Sequence, residues 1–283
     1  MLNFPENLRF TISEPIDKAV NWLLINWDGL FDGISNFVLM IFNVVENSFN
    51  ILPWWLIIAG LFFVSYKLYS LKTAITFSIM MFLIGLFGLW DLMIYTLVIV
   101  VISVLVSIVL GIPIGILMAK FEIIKKINLP ILDAMQTMPS FVYLIPAVMF
   151  FGFGKVPAVI ATTTYAIPPL IRLTYLGISN VNKEILEAGK SFGSTSKQML
   201  LKIEFPQALS TMMTGINQTT MMAMAMVVIS SMIGAEGIGE QVLISIRRME
   251  VGNGFQSGLS IVFLAIVLDR VLQGVAKKLK ETE

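Results

Sequence analysis

Residues 182–206 read NKEILEAGKSFGSTSKQMLLKIEFP, a charged segment that lies between two long apolar runs of the chain. The pattern predicts a helical hairpin, two short helices joined at a glycine, which we call the hairpin below. Asn182 is placed to cap the first helix, and Gly193 can adopt the left-handed backbone conformation that ends such a helix. Small or apolar residues recur at helical spacing along one face of this helix, namely Ile185, Ala188 or Gly189, and Phe192.

The second helix of the hairpin has its own start and stop signals. Thr195 and Gln198 have the spacing of a capping box, which starts a helix. Pro206 is expected to end this helix, because a proline disfavours helical geometry at the residue before it, here Phe205. Both helices are therefore predicted to be short.

The composition indicates that much of the chain lies in lipid. Of its 283 residues, 57% are hydrophobic and only 13% are charged, whereas soluble domains carry about 25% charged residues. A single water-soluble core could not bury this much apolar surface, so the lipid bilayer is an expected partner. The net charge of +1 gives no reason to expect nucleic acid as a partner.

The residue inventory argues against an enzyme. The chain contains no cysteine and no histidine, which excludes disulfides, histidine-based metal sites and Ser–His or Cys–His nucleophile pairs. Gly189-Lys190-Ser191 ends like a phosphate-binding loop, but Glu184 stands where that loop requires a glycine. The sequence therefore predicts no catalytic residue, cofactor or metal in this chain, and any ATP hydrolysis would fall to a separate chain. The first residues also lack the pattern of a cleavable signal peptide.

Apolar runs of about 20 residues are the criterion for membrane-spanning helices. By this criterion the chain is an all-α, polytopic membrane protein with seven transmembrane helices, near residues 51–69, 73–90, 92–119, 139–154, 157–178, 208–233 and 255–275. Residues 1–50 instead mix charges with apolar side chains at steps of three and four residues. They are predicted to form one or two amphipathic helices on the bilayer surface, with packing against the protein's own outer face as the alternative.

Basic residues fix the predicted orientation of these helices. They form four groups on one side of a seven-helix arrangement: Lys67 and Lys72; Lys120, Lys125 and Lys126; Lys183, Lys190, Lys197 and Lys202; and Lys277, Lys278 and Lys280. The positive-inside rule makes that side cytoplasmic. We therefore expect a multi-pass protein of the cell membrane with its N-terminus outside and with its C-terminus and the hairpin in the cytoplasm.

The hairpin also resembles a family motif. Glu187-Ala188-Gly189, then Gly193, then Ile203-Glu204-Phe205-Pro206 have the spacing of the EAA loop of ABC-importer permeases. The departures are Gly189 for the second alanine of that motif and Phe205 for its leucine. The resemblance implies that this loop docks on an ATPase subunit, with a coupling role for Glu187, Ala188, Gly189, Gly193, Ile203 and Pro206. The alternative is a solvated helical hairpin without a partner.

A more specific resemblance covers residues 130–178 and 207–270. These stretches, which include QTMPSFVYLIP at 136–146 and YAIPPLIR at 165–172, are similar to permeases of glycine betaine/proline betaine importers. The resemblance implies the type I ABC-importer permease fold and a second copy of the permease. It also implies two ATPase subunits, which bind the ATP and magnesium, and an extracytoplasmic substrate-binding protein.

On this basis we divide the chain into four parts. They are an extracytoplasmic amphipathic segment at 1–50, two accessory transmembrane helices at 51–90, a permease core at 91–276 with its coupling loop at 182–206, and a cytoplasmic tail at 277–283.

Polar, aromatic and flexible side chains inside the apolar runs are candidates for lining a translocation path. Polar groups that face lipid cost free energy, so we expect them to face other helices or a path. Aromatic faces attract quaternary ammonium groups, and methionines suit surfaces that repack. The candidates are Gln136, Pro139, Phe141, Tyr143, Asn217, Gln218 and Met224. Contacts between helices and core packing are the alternative roles for these residues.

Together these patterns predict the permease subunit of an ATP-driven importer, which carries glycine betaine or a related quaternary-ammonium compatible solute for osmoprotection. Partner ATPases would drive it by alternating access. The alternatives are an ABC permease for choline, carnitine or methionine, and an ATP-independent osmotic channel. The sequence leaves the exact solute open and indicates no salt-sensing mechanism.

Overall fold

The computed structural model describes residues 12–280, without the side chains of 279 and 280. The first eleven residues of the predicted N-terminal segment and the last three of the predicted tail lie outside the described residues. Every regular element in the described range is a helix. The first four are α1 (Ser13–Asn26), α2 (Asp28–Ile51), α3 (Trp54–Leu68) and α4 (Leu71–Leu86).

Helix α2 packs against the bundle through aromatic and charged contacts. The rings of Phe42 and Tyr95 lie 5.1 Å apart, and Phe42 is fully buried. Glu46 Oε2 lies 3.4 Å from Lys155 Nζ, which also lies 4.5 Å from the centre of the Phe42 ring. Of the two alternatives for the N-terminal segment, packing against the protein is therefore confirmed for α2. By length and composition alone, it also meets the criterion for a membrane-spanning helix.

Helices α3 and α4 are shorter than the spans predicted at 51–69 and 73–90. They contain 15 and 16 residues, or about 23 Å of helix, against about 30 Å for the hydrocarbon core of a bilayer. Pro53 precedes α3, Ser70 caps the start of α4, and Gly88 follows α4 with a positive φ of 73°. These turn signals shorten both helices.

The central part of the chain contains five helices. They are α5 (Trp90–Lys120), α6 (Glu122–Thr137), α7 (Ser140–Phe151), α8 (Lys155–Ala166) and α9 (Pro168–Ser179). Helix α5 confirms the span predicted at 92–119. The span predicted at 157–178 is confirmed by α8 and α9, which together have the length and composition of one spanning helix.

The prediction of a single spanning helix at 139–154 is wrong. Helix α7 has only 12 residues, and it follows α6 at an angle of 103°. Met138 has an extended backbone, with ψ 136°, because the next residue is Pro139. The chain therefore changes direction at this proline, and only α6 and α7 together have the length and composition of a span.

The last part of the chain begins with the hairpin. It contains α10 (Lys183–Ser191), α11 (Ser196–Met199), α12 (Phe205–Ser230), α13 (Ile238–Arg248) and α14 (Val251–Lys280). A π-helical segment, Leu200–Glu204, joins α11 to α12. The stretches Ser196–Ile233 and Val251–Lys278 meet the criterion for spanning helices. They confirm the spans predicted at 208–233 and 255–275.

The prediction that Pro206 ends the second hairpin helix is wrong. Phe205 has helical angles, φ −64° and ψ −48°, and Pro206 lies in the first turn of α12. Proline is tolerated there because its missing N–H needs no intrahelical partner, and the preceding π turn already changes the hydrogen-bond register. The helix therefore continues from the hairpin into the bundle without a break.

Small residues on α5 and α12 allow α9 to lie between these two helices. A Cβ added to Gly111 of α5 would lie 3.3 Å from Leu170 Cδ2, and one added to Gly215 of α12 would lie 3.2 Å from Leu170 Cα. A Cβ added to Gly115 of α5 would lie only 2.6 Å from Thr174 Cβ. These glycines set the separation of the three helices, as small residues do in other membrane bundles.

The basic groups gather at the end of the bundle that carries the hairpin, which we call the hairpin end. Lys120 is the last residue of α5 at this end. The Tyr69 hydroxyl, between α3 and α4, donates to the carbonyl of Arg270 at 2.7 Å. Lys278 Nζ lies 3.5 Å from the Lys67 carbonyl oxygen. The turn between α3 and α4 and the end of α14 therefore lie together.

Gly115→Ala is expected to destabilise the protein by about 1–3 kcal/mol, the usual cost of overpacking a tight contact. The new methyl group would collide with Thr174 and with the carbonyl oxygen of Ile171, 2.8 Å away. The matched control is Gly60→Ala in α3, where an added Cβ meets nothing within 4 Å and alanine is the better helix former. The stability of both variants is compared through their thermal unfolding midpoints in detergent. A midpoint for Gly115→Ala at or above that of Gly60→Ala would contradict this packing.

Candidate functional site

The first helix of the hairpin, α10, has the capping predicted from the sequence. The side-chain oxygen of Asn182 accepts a hydrogen bond from the Glu184 N–H at 2.9 Å. Gly193 has a φ of +76°, in the left-handed region that ends such a helix. The Ser194 N–H donates to the Gly189 carbonyl at 3.1 Å, which satisfies a carbonyl group at the helix end. Both predicted end signals of α10 are therefore confirmed.

The second hairpin helix starts with the predicted capping box. The Gln198 N–H donates to the Thr195 hydroxyl at 3.3 Å. In return, the Gln198 side-chain oxygen accepts from the Thr195 N–H at 2.9 Å. Two N–H groups at the start of the helix are thereby satisfied, and local hydrogen bonds fix the hairpin turn on both sides.

The two hairpin helices touch at Gly189, which is buried. A Cβ added to Gly189 would lie 2.7 Å from Ile203 Cδ1 and 3.0 Å from Met199 Cε. The departure from the alanine of the family motif therefore coincides with close packing by these two side chains. The apolar face predicted for α10 is split, because Gly189 packs inward while Phe192, at the C-cap, is 91% exposed.

The predicted coupling residues divide into an exposed set and a packed set. The exposed set comprises Glu187, Ala188 and Gly193. The packed set comprises Gly189, which is buried, and the half-buried Ile203 and Pro206. Packed residues hold the shape of the hairpin, and exposed ones are available to a partner chain.

An ion pair that the sequence did not predict ties the hairpin to α5. Lys120 Nζ lies 2.7 and 2.5 Å from the two carboxylate oxygens of Glu204, and Glu204 is only 5% exposed. A cavity of about 220 Å³ adjoins the pair and is also lined by Leu186, Lys190, Ser194, Ser196 and Met199. The signal in the sequence is a carboxylate between two apolar residues, Ile203 and Phe205.

The predicted path residues near the bend between α6 and α7 have two different environments. Gln136, Pro139 and Phe141 are exposed on the surface of the single chain. Tyr143 is buried instead, and its ring lies edge-on to that of Tyr165 with 5.6 Å between the ring centres. Tyr143 therefore packs within the bundle, in the alternative role considered for these residues.

The predicted path residues of α12 lie on two sides of that helix. Asn217 Nδ2 donates to Asp269 Oδ1 of α14 at 2.9 Å, and the same carboxylate oxygen accepts from Gln273 at 2.8 Å. Met224 is buried and lines a cavity of about 170 Å³ beside Asp269. Gln218 is exposed. The candidate path residues therefore do not form one lining in the single chain.

Residues 111–281 match the family described as binding-protein-dependent transport system inner membrane component. The chain belongs to this family. It is 40% identical to the glycine betaine transport system permease protein OpuAB of Bacillus subtilis, over 96% of each chain. It is 46% identical to the glycine betaine/carnitine transport permease protein GbuB of Listeria monocytogenes, over 94% of this chain and 95% of that one. The glycine betaine/proline betaine transport system permease protein ProW of Escherichia coli is 39% identical, with 93% of this chain and 74% of ProW covered.

A solved structure supports the same fold for this permease. The MetNI methionine ABC transporter, in an inward-facing conformation, matches with a TM-score of 0.57 over 67% of this chain and 93% of that chain. At 18% identity the likeness shows the fold alone, which is the type I ABC-importer permease fold. The family match and the relatives above make the chain a multi-pass membrane permease. Its family works with ATPase and substrate-binding partners.

One face of α12 in this permease carries exposed residues, two of which are polar. They recur at steps of three and four residues, which places them on one side of a helix, and they are Thr214, Gln218, Met221 and Ala225. Only Gln218 was predicted from the sequence, because the exposed side of a membrane helix depends on where its neighbours pack. Since polar side chains cost free energy against lipid, this face is suited to contact with protein or water.

Asn217→Leu is expected to destabilise the permease, because Asp269 would lose a hydrogen-bond donor in a partly buried place. Asp269 keeps the hydrogen bonds from Gln273, so the cost is that of one lost hydrogen bond to a charged group, about 1.5–3 kcal/mol. The control is Gln218→Leu, one residue further along the same helix, where the side chain is exposed. The thermal unfolding midpoint in detergent should fall for Asn217→Leu and stay near the parent value for Gln218→Leu. Equal midpoints for the two variants would show that the bond to Asp269 does not stabilise the bundle.

Proposed function

We propose that this permease is the membrane-spanning subunit of an ATP-driven importer for glycine betaine or a related quaternary-ammonium compatible solute, with a role in osmoprotection. The choice of solute is supported by the relatives OpuAB, GbuB and ProW, which have glycine betaine in their names at 40%, 46% and 39% identity. Carnitine is a second candidate solute, since it also stands in the name of GbuB.

The observation that carries the proposed mechanism is the continuous helix between the hairpin and the bundle. The stretch Ser196–Ile233 is one helical unit of 38 residues, and α10 packs on it at Gly189. A partner that displaces the hairpin would therefore displace α12 with it. This is the movement that a separate ATPase needs in order to drive a membrane path between two states.

The coupling residues take two roles in this proposal. The exposed ones would contact the ATPase subunit, and these are Glu187, Ala188 and Gly193. The packed ones would hold the hairpin against α12, and these are Gly189, Ile203 and Pro206. The exposed ring of Phe192 would add an apolar contact beside the first set.

The hairpin end is cytoplasmic in this proposal, with the N-terminus outside and the C-terminus in the cytoplasm. The positive-inside rule supports this orientation, because basic residues from separate parts of the chain gather at the hairpin end. The opposite end, which includes α13, would then receive the loaded substrate-binding protein.

The assembled transporter would contain a second copy of the permease and two ATPase subunits. The exposed face of α12 supports the second copy, because Thr214 and Gln218 would then face a path between two permeases rather than lipid. Gln218 is the candidate path residue best placed for this role, and Gln136, Pro139 and Phe141 are also at the surface of the chain.

The energy for transport would come entirely from the partner chains. ATP and magnesium would be bound by the ATPase subunits, and the permease itself would need no cofactor. ATP and the loaded receptor would bind different states of the complex with different affinities. That difference in binding free energy would drive alternating access.

Gly193→Val is expected to lower ATP-driven betaine uptake by at least about tenfold, within the range of coupling effects between sites. A β-branched residue does not readily adopt a φ of +76°, so the hairpin turn would reshape. The matched control is Gly193→Asn, because asparagine tolerates the left-handed conformation and nothing lies within 4 Å of the added Cβ. Uptake is measured in proteoliposomes that contain the permease, its ATPase and its receptor.

Two results would contradict the proposal. Equal uptake by Gly193→Val and the parent protein would argue against a coupling role for the hairpin turn. Betaine flux through the purified permease without ATPase or ATP would instead favour an ATP-independent osmotic channel.

A further inference from the structure

The hairpin carries one charged side chain that is withdrawn from solvent. In the described part of the chain, Glu204 is the only charged residue that is buried, with 5% exposure. The other charged residues of the hairpin are exposed, and these are Lys183, Glu184, Glu187, Lys190, Lys197 and Lys202. Burial of a carboxylate costs free energy unless the group is paired and hydrogen-bonded. The place of this carboxylate therefore depends on its partner.

The partner of Glu204 is Lys120, the last residue of α5. Lys120 Nζ lies 2.7 Å from Oε1 and 2.5 Å from Oε2 of Glu204, so both carboxylate oxygens accept from one ammonium group. The two residues are 84 positions apart in the sequence. The ion pair therefore joins the hairpin to a second membrane helix, besides α12, with which it is continuous.

The pair lies where movement of the hairpin enters the bundle. Glu204 is the last residue of the π-helical segment Leu200–Glu204, between α11 and α12. Such wide turns are rare within α-helices and are frequent at functional sites. A contact at this turn can therefore transmit a movement of α12 to α5.

We propose that Lys120 and Glu204 are positioning residues for ATP-driven transport, because their ion pair makes α5 move together with the hairpin and α12. This inference rests on the function proposed above. Without the pair, the ATPase still docks on the exposed hairpin residues and still moves α12, but α5 follows only through its apolar contacts with α9 and not at the hairpin itself. ATP is then hydrolysed with little transport of solute.

A second ion pair near the same end of α5 provides a matched control. Lys125 Nζ lies 3.5 Å from Glu122 Oε2 at the start of α6, and the Glu122 side chain is 63% exposed. Exposed pairs of this kind contribute little to stability. Glu122→Gln therefore removes one carboxylate, as Glu204→Gln does, but from an exposed pair within a single helix.

The test uses the complete permease with its ATPase and receptor in proteoliposomes. Two quantities are measured: the betaine imported per ATP hydrolysed, and the amount of ATPase that co-purifies with the permease. For Glu204→Gln and Lys120→Met, import per ATP is expected to fall about tenfold, within the range of coupling effects between sites, while co-purification stays unchanged. The charge-reversed double variant Lys120→Glu with Glu204→Lys is expected to recover most of the import per ATP. Glu122→Gln is expected to import as much betaine per ATP as the parent.

The possible outcomes separate this inference from the function on which it rests. A parent complex that imports no betaine with ATP overturns the proposed function. A parent complex that transports, together with a Glu204→Gln variant of equal import per ATP, overturns the role of the ion pair. A loss of co-purified ATPase in proportion to the loss of transport also overturns it, because the pair would then only hold the docking surface folded.

The remaining variants decide the case if Lys120→Met does not insert into the membrane. Glu204→Gln is then used instead of Lys120→Met, because glutamine keeps the shape of the glutamate side chain and removes only the charge. A double variant that assembles with the ATPase but does not regain import per ATP overturns the inference that the two charges act as a pair.

Discussion

A helix that runs unbroken from the hairpin into the membrane bundle is the constraint on which the rest of the structure depends. A break between the hairpin and α12 would let the hairpin move without α12. The π-helical turn at Leu200–Glu204 avoids such a break, because it changes the register before Pro206 and keeps the backbone helical. The hairpin and α12 are thereby coupled through the chain itself, and the other helices can follow only through side-chain contacts.

Two kinds of side-chain contact join α5 to α12 and the hairpin. Along the bundle, α9 packs between α5 and α12 at glycines such as Gly111 and Gly215, where close contact of apolar groups holds the helices by many weak attractions. At the hairpin end, the ion pair of Lys120 and Glu204 joins α5 to the turn directly. A charge-assisted hydrogen bond is directional, so the link between α5 and the hairpin combines a broad apolar contact with an ion pair at the turn between the hairpin and α12.

The sequence predicted the helical fold, the family and the hairpin because their signals are local or depend on composition. Asn182 and the capping box of Thr195 act within three residues, and hydropathy marks the long spans. The stop at Pro206 was wrong because the proline rule assumes an ordinary α-helix, and no local pattern encoded the π turn before it. The span at 139–154 failed for a related reason. Pro139 marks a change of direction, but an angle of 103° depends on how α6 and α7 pack against the rest of the bundle.

The candidate path shows where prediction from sequence ends for this site. Asn217 and Gln218 are both polar residues in an apolar run, yet they point about 100° apart around the helix. One bonds to Asp269, which is 52 residues away in the chain, and the other is exposed. The ion pair of Lys120 and Glu204 was hidden for the same reason, since its partners are 84 residues apart. A polar residue in a membrane helix therefore indicates a contact, and only the packing of distant helices decides whether the partner is a neighbouring helix, a second chain or the solute.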